Sequence, residues 1–236
     1  MTIREEFDKR IVEIDLYFEI LQTIELDKPK LSAYSLIENK QMEVLFDSER
    51  IKILRANSFL LLYNLIESTI YNSIVSIFDK ITDNQIKYFD MIEEVQRYWL
   101  NNLYKHDEKK KKETIISTFM NIANQIFTDN ISLVSNEISY GGSLDAQTIF
   151  ETAKSMKIEI GNVHRVYDKN IHGETLKNIK NKRNWLAHGE KSFSEVGDNI
   201  AYPQLDEAKN HVRTFLEEFI KSVEEYIIKE SYRAVV

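Results

Sequence analysis

The 236-residue chain has no cysteine, so it forms neither a disulfide nor a thiolate metal site. This fits a reducing compartment, and a cytoplasmic location is expected. Two prolines and six glycines are too few for a sandwich or another turn-rich β fold. Long apolar runs are missing as well. The longest, Phe59-Leu60-Leu61-Leu62-Tyr63, is followed by Asn64 and Glu67 and is too short to span a bilayer, so no membrane association is expected. No secretory leader is expected, because Thr2-Ile3-Arg4-Glu5-Glu6 runs straight into an amphipathic pattern. Positive charge is the minority, 31 Lys and Arg against 38 Asp and Glu, for a net charge of -7. Phosphate binding is driven by clustered cations, so any nucleic-acid site on this chain must be a local basic patch.

What the chain does have is helical periodicity. Phe7, Ile11, Ile14, Phe18, Leu21 and Ile24 recur every three or four residues and predict an amphipathic helix ending at Asp27-Lys28-Pro29. Residues 30–46 read as a loop with a short helical turn. Asp47 to Ile81 is the longest predicted helix, apolar on nearly all sides from Phe59 to Ile66, which implies burial in a bundle or an interface. Asn57, Asn64 and Glu67 form one polar stripe on it, either its solvent edge or a face turned to a functional site. Further helices are expected over Asn84–Tyr104, Thr114–Phe127 and Ala146–Met156, the last capped by Asp145. The lysine run Lys109-Lys110-Lys111-Lys112 reads as a solvated turn, and residues 131–144 as a short hairpin or extended excursion. His164 and His172 have no third ligand at metal spacing, so neither a metal nor another cofactor is expected. Gly173–His188 and the segment from Tyr202 onward complete the pattern. The reading is an all-α fold, a helical bundle of about four core helices with a short inserted helical or hairpin segment at roughly 105–170. One domain over 1–236 is the simpler organisation, since no linker or repeat divides the chain.

The most informative stretch closes the Gly173–His188 helix: Arg183-Asn184-Trp185-Leu186-Ala187-His188-Gly189. Gly189 can take the left-handed conformation that stops a helix. Lys177, Lys180, Lys182 and Arg183 crowd that end, and cations suit the negative end of a helix dipole whether or not they have another role. On an ideal helix Arg183 and His188 lie about 140° apart and roughly 7.5 Å along the axis, whereas Asn184 and His188 share a face. The natural intrahelical pair is therefore Asn184 with His188, the amide orienting the imidazole. Trp185 and Leu186 read as core, Ser192 and Ser194 as capping or turn residues, and Phe193 and Val196 as holding the following loop to the bundle.

Arg183-Asn184-x-x-x-His188 resembles the signature of the HEPN superfamily: Arg, a polar residue, a short variable run, then His. The residues that follow, Gly189 to Gly197, and the segment from Asn57 to Tyr71 are similar to a bacterial HEPN-like nuclease subgroup. The resemblance implies an all-helical domain that dimerises and cleaves RNA without a metal, as a toxin or antiphage effector in a bacterial cell, with RNA and a second copy as partners and an antitoxin or regulatory protein as a further one. It also leaves open a non-cutting module of the same fold that binds nucleotide, RNA or protein. In the nuclease reading His188 is the acid–base group, Arg183 steadies the phosphoryl oxygens, and Asn184 holds His188 or a phosphate. Glu67 and Asn64 support from behind, and Lys177, Lys180 and Lys182 contact flanking phosphates. A two-fold dimer would bring two copies of the motif into one composite site.

Overall fold

The computed structural model describes residues 2–26, 29–104, 112–128, 131–133, 138, 143–160 and 171–234. It is predominantly helical, as the periodicity requires. Its elements are α1 (Ile3–Ile24), β1 (Lys30–Ser35), β2 (Lys40–Leu45), α2 (Ser48–Asp83), α3 (Glu93–Leu103), α4 (Lys112–Phe127), α5 (Ala146–Ser155), α6 (Ile171–Ala187), α7 (Phe193–Asp198) and α8 (Tyr202–Ile228). They divide into two compact units, residues 1–66 with 169–214 and residues 67–168 with 215–236. α2 and α8 each contribute their first part to one unit and their second part to the other.

In the first unit α1 opens with a capping box, in which Thr2 accepts from the Glu5 amide and the Glu5 carboxylate accepts from the Thr2 amide. Its predicted apolar face is the buried one: Phe7, Ile11, Ile14, Phe18, Leu21 and Ile24, joined by Ile3. Removing each such side chain from water contributes about 1.5–3 kcal/mol, so this stripe is what holds α1 to its neighbours. Along the first part of α2, Ala56, Phe59, Leu62, Tyr63, Leu65 and Ile66 are buried as well. The Tyr17 hydroxyl donates to the Leu54 carbonyl, and a two-pronged ion pair of Arg55 with Glu25 fixes the C-terminal end of α1 against α2. On α8, Lys209 reaches Asp15 at 3.0 Å and lies 5.0 Å from the Phe18 ring centre, its stem lying on apolar surface while the ammonium is paired.

Residues 30–46 depart from the sequence reading. They form an antiparallel hairpin with Ser35 paired to Lys40 and Leu31 to Val44, closed by a bond from the Phe46 amide to the Pro29 carbonyl. Asn39 at the turn has φ +48°, a left-handed conformation that asparagine tolerates better than most residues.

The second unit is organised by the rest of α2, with Ile70, Ile74, Ile77, Phe78 and Ile81 buried. The helix expected over 84–104 is shorter. A 3-10 turn at Tyr88–Asp90 precedes α3, and Ile92, extended, marks the new start. The fully buried Trp99 donates its indole N–H to the Ser132 carbonyl at 2.8 Å. Tyr226 of α8 donates to the Met156 carbonyl at 2.8 Å, and the chain end pairs through Met91 and Arg233. Asp145 caps α5 as expected, accepting from the Thr148 amide. The lysine run of 109–111, His164 and nearly all of 134–142 lie outside the described residues.

Candidate active site

The motif belongs to α6 and the turn after it, all in the first unit. The helix stops by a rule legible in the chain. Gly189 has φ +68°, the Glu190 amide reaches back to the Trp185 carbonyl at 2.9 Å, and the Gly189 amide to the Leu186 carbonyl at 3.3 Å. This pairing is the Schellman motif, and it puts His188 at the cap position. The turn is held from both sides. The Lys191 ammonium sits 3.8 Å from the centre of the Trp185 ring, closing the turn over the helix. Beyond it Ser192 and Glu195 form a second capping box, which starts α7. α7 is seated on the first turns of α2: Val196 is buried, Ser194 donates to Glu49 at 2.6 Å, and Lys52 pairs with Asp198 at 2.8 Å. Ser192 and Val196 thus have the capping and packing roles expected of them, whereas Ser194, expected in a cap or turn, lies within α7 and bonds across to α2.

The motif side chains take different surroundings. Arg183 is half-buried, its guanidinium 4.3 Å from the centre of the Tyr63 ring, and Tyr63 is completely buried. One guanidinium N–H donates to the Asn184 side-chain oxygen at 3.1 Å. The expected Asn184–His188 pairing is therefore met only through the backbone, where the His188 amide donates to the Asn184 carbonyl at 2.9 Å. The Asn184 amide instead holds Arg183, because that guanidinium lies next to it on the helix and brings a charge-assisted bond. His188 is exposed, and among the described residues its imidazole makes no hydrogen bond. Trp185 and Leu186, expected in the core, are only half-buried, since the helix ends beside them and Trp185 is covered by Lys191.

The basic residues separate by helical phase. Lys177, Asn184 and His188 fall within about 40° of one another around the axis, so Lys177, exposed, shares the histidine's side of the helix. Lys180 is half-buried. Lys182 stands about 120° from His188. Its ammonium lies 4.7 Å from the centre of the Phe59 ring, and burial there, reinforced by repulsion from Lys191, pushes its pKa below the usual lysine range. It lines a cavity of about 590 Å³ between α6 and α8, with Thr175, Ile179, Glu207 and His211 among the other walls. Arg183, Asn184 and His188 are not on that lining. Of the supporting residues proposed on α2, Asn64 is exposed, and Glu67, half-buried, belongs to the second unit. Asn57 donates to its own helix at the Ile53 carbonyl. The residue that does stand behind Arg183 is Tyr63, hidden in an apolar run where its ring reads as core.

Among the described residues no group of acids and histidines is placed to hold a metal ion, and no helix is long and apolar enough to cross a membrane. No curated protein and no solved structure matches the chain. A family model does, over residues 1–232. The chain belongs to the HEPN_MAE_28990-like HEPN family.

Proposed function

We propose that this protein is a metal-independent endoribonuclease and that Arg183, Asn184 and His188 carry the reaction. Membership of a family that includes ribonucleases supports the coarse assignment. The observation that carries the finer one is the split between a fixed cation and an exposed titratable group at one helix end. Arg183 is held by Tyr63 and Asn184, so its orientation costs little when a phosphate arrives, while His188 stands in solvent on a turn locked by Gly189. Stacking uses the face of the guanidinium, and its N–H groups point outward from the edge, which is the geometry that grips phosphoryl oxygens.

In the reaction a ribose 2′-hydroxyl gives up its proton as its oxygen bonds to the adjacent phosphorus. The bond from phosphorus to the 5′ oxygen breaks, and that oxygen takes a proton. The products are a 2′,3′-cyclic phosphate and a free 5′-hydroxyl. An imidazole can both accept and donate a proton, so His188 suits the proton transfer. Arg183 stabilises the charge growing on the phosphoryl oxygens, and Asn184 keeps it aimed. Lys177, on the histidine's side of the helix, contacts a flanking phosphate, with Lys180 beside it. Lys182 serves from the neighbouring face. Ideal helical spacing sets Arg183 and His188 about 140° apart, so a two-fold pair of chains gives the more complete site, each copy contributing to a shared centre. Such an activity in a cell is that of a toxin or antiphage effector, kept in check by a partner protein.

The test is to incubate wild type, Arg183→Ala and His188→Ala with mixed RNA in EDTA and map the new ends. Cyclic-phosphate ends from wild type alone, with both variants folded and inert, are the expected result. Cleavage that persists in both variants removes the motif from the chemistry. Tight RNA binding without cutting favours the non-catalytic module, for which Arg183 on Tyr63 would be packing alone.

A further inference from the structure

Two apolar surfaces of the first unit are exposed among the described residues. The first is the β1–β2 hairpin, where every strand residue except Ser35 is exposed. Its register nonetheless sorts the side chains by face. Leu31, Ala33, Met42 and Val44 lie on one side with Ser35 and Lys40, while Lys30, Ser32, Tyr34, Gln41, Glu43 and Leu45 lie on the other. Such alternation is the pattern of a strand pair with one buried face, and a lone two-stranded hairpin is marginal in water. At its tip Leu36 and Ile37 are 88% and 98% exposed. The second surface is on α1. Opposite the stripe that faces the core, Val12, Leu16 and Ile20 repeat every four residues and are each more than half exposed.

We infer that these surfaces cover each other between two copies of this chain, the apolar face of each hairpin lying across the Val12–Leu16–Ile20 stripe of the other. The spacings fit: alternate residues on the strand are about 6.8 Å apart, and successive stripe residues are about 6 Å apart. The charges fit as well. Lys40 is the one charged residue on the hairpin's apolar face, and the exposed Glu13 and Glu19 flank the stripe on either side. The hairpin, with Lys30, Lys40, Glu38 and Glu43, carries no net charge, so a chain of net charge -7 can meet its copy there without like-charge repulsion. The area suffices. Leu31, Met42, Val44, Leu36, Ile37, Val12, Leu16 and Ile20 each leave on the order of 100 Å² in water. That is roughly 800 Å² per copy, one side of a standard interface. The exchange is two-fold and closed, since each copy gives one arm and receives one.

The consequence for the site follows from the chain. β2 ends at Leu45, and α2 begins at Ser48 with the turns on which α7 is seated, so the arm is rooted beside the support of the His188 turn. This extends the two-copy reading of the nuclease by naming the surface that joins the copies, and it is tested without RNA.

Sedimentation velocity at tens of micromolar protein would compare wild type with Met42→Glu and Leu16→Glu, both exposed positions whose substitution leaves the fold intact by circular dichroism. The expected result is a dimer for wild type and a weakening of roughly a hundred-fold or more in each variant, since each buries a charge against apolar surface. A third variant excises the hairpin by joining Pro29 to Phe46, whose backbones are already bonded, and it should be monomeric and folded. The chain has no cysteine, so the double variant Leu16→Cys/Met42→Cys, oxidised, should run as a covalent dimer while each single variant should not. A monomeric wild type overturns the inference, as does a dimer untouched by the glutamates or by excision. A wild-type monomer that co-sediments with phosphatidylcholine vesicles through the hairpin overturns it in favour of a lipid surface. A dimer of the expected kind that cuts no RNA leaves this inference standing and removes the nuclease reading, and RNA cleavage by a strictly monomeric wild type does the reverse.

Discussion

Gly197 tests the seating of α7, and with it the turn that carries His188. A Cβ placed there would lie 1.9 Å from the Lys52 carbonyl oxygen, 2.7 Å from its carbon and 3.0 Å from its Cα. These are backbone atoms inside α2, so no side-chain rotation relieves the clash. A carbon and a carbonyl oxygen approach no closer than about 3.3 Å even in favourable contacts, so Gly197→Ala forces α7 away by roughly 1.4 Å. That shift would stretch the Ser194–Glu49 bond from 2.6 Å beyond hydrogen-bonding range and lift Val196 from its buried position. Overpacking and the partial loss of these contacts together cost about 3 kcal/mol. For a chain of this size that corresponds to a fall of about 6–12 °C in melting temperature. The assay is a thermal melt by circular dichroism, with amide exchange of residues 193–198 followed in parallel. The exchange should accelerate there first. A melting temperature within about 2 °C of wild type, with unchanged protection of α7, would refute the close approach of α7 to α2 and the support it gives the motif turn.

Gly189 gives a contrasting case, since a side chain there meets nothing within 4 Å and only its φ of +68° opposes substitution. Gly189→Asn should cost only a few tenths of a kcal/mol and Gly189→Val about 1–2 kcal/mol, a ranking that chemical denaturation would measure. Trp99→Ala should cost about 3–5 kcal/mol in urea unfolding, because the ring is fully buried and its N–H is bonded to Ser132. Emission from Trp99 alone, in Trp185→Phe, should be blue-shifted and indifferent to iodide, whereas that of Trp185 in Trp99→Phe should be quenched. Acid should release α7 before the core. The Ser192 amide and hydroxyl hold the Glu195 carboxyl below its usual range, and the Ser194 hydroxyl and Lys52 do the same for Glu49. Both contributions are complete above the ordinary glutamate value of 4.5 and are lost as pH falls through the lower folded values. Amide exchange of residues 193–198 relative to α1 should therefore quicken below that pH, and a uniform response of both segments would contradict the capping account.

The helices were legible because each buries one stripe. The recurrence from Phe7 to Ile24 fixed both α1 and its buried face, and Gly189 marked the end of α6. The hairpin was not legible. Leu36 and Ile37 are adjacent, which breaks the alternation that would announce two strands, and they belong to the turn. The remaining alternation of Leu31, Ala33, Met42 and Val44 is split between two short runs and shows only once the register is known. The second apolar stripe of α1 was obscured for a related reason. Val12, Leu16 and Ile20 interleave with the core positions, and a search for one amphipathic face absorbs them.

The motif shows where sequence spacing reaches its limit. Position along an ideal helix puts Arg183 and His188 about 140° apart, and the two have different surroundings, Arg183 half-buried on the Tyr63 ring and His188 exposed. It assigned Asn184 to the histidine because the two share a face, yet the neighbouring guanidinium wins the amide. Intrahelical phase ranks partners by direction alone, whereas a long charged side chain next in sequence offers a stronger bond within reach. Arg183 is then anchored a second time by Tyr63, a residue 120 positions away in sequence, which no local pattern can supply. In the nuclease reading, an arginine fixed on two sides and an exposed histidine at the same helix end divide the labour, the first held in place and the second open to solvent. Substitution of Tyr63 by Leu should keep the helix packed but loosen Arg183, and in the nuclease reading this lowers the cleavage rate with little change in RNA affinity. An equal loss of rate and affinity would mean that Arg183 serves binding in the ground state, and an unchanged rate would mean that its stacking on Tyr63 contributes only to packing.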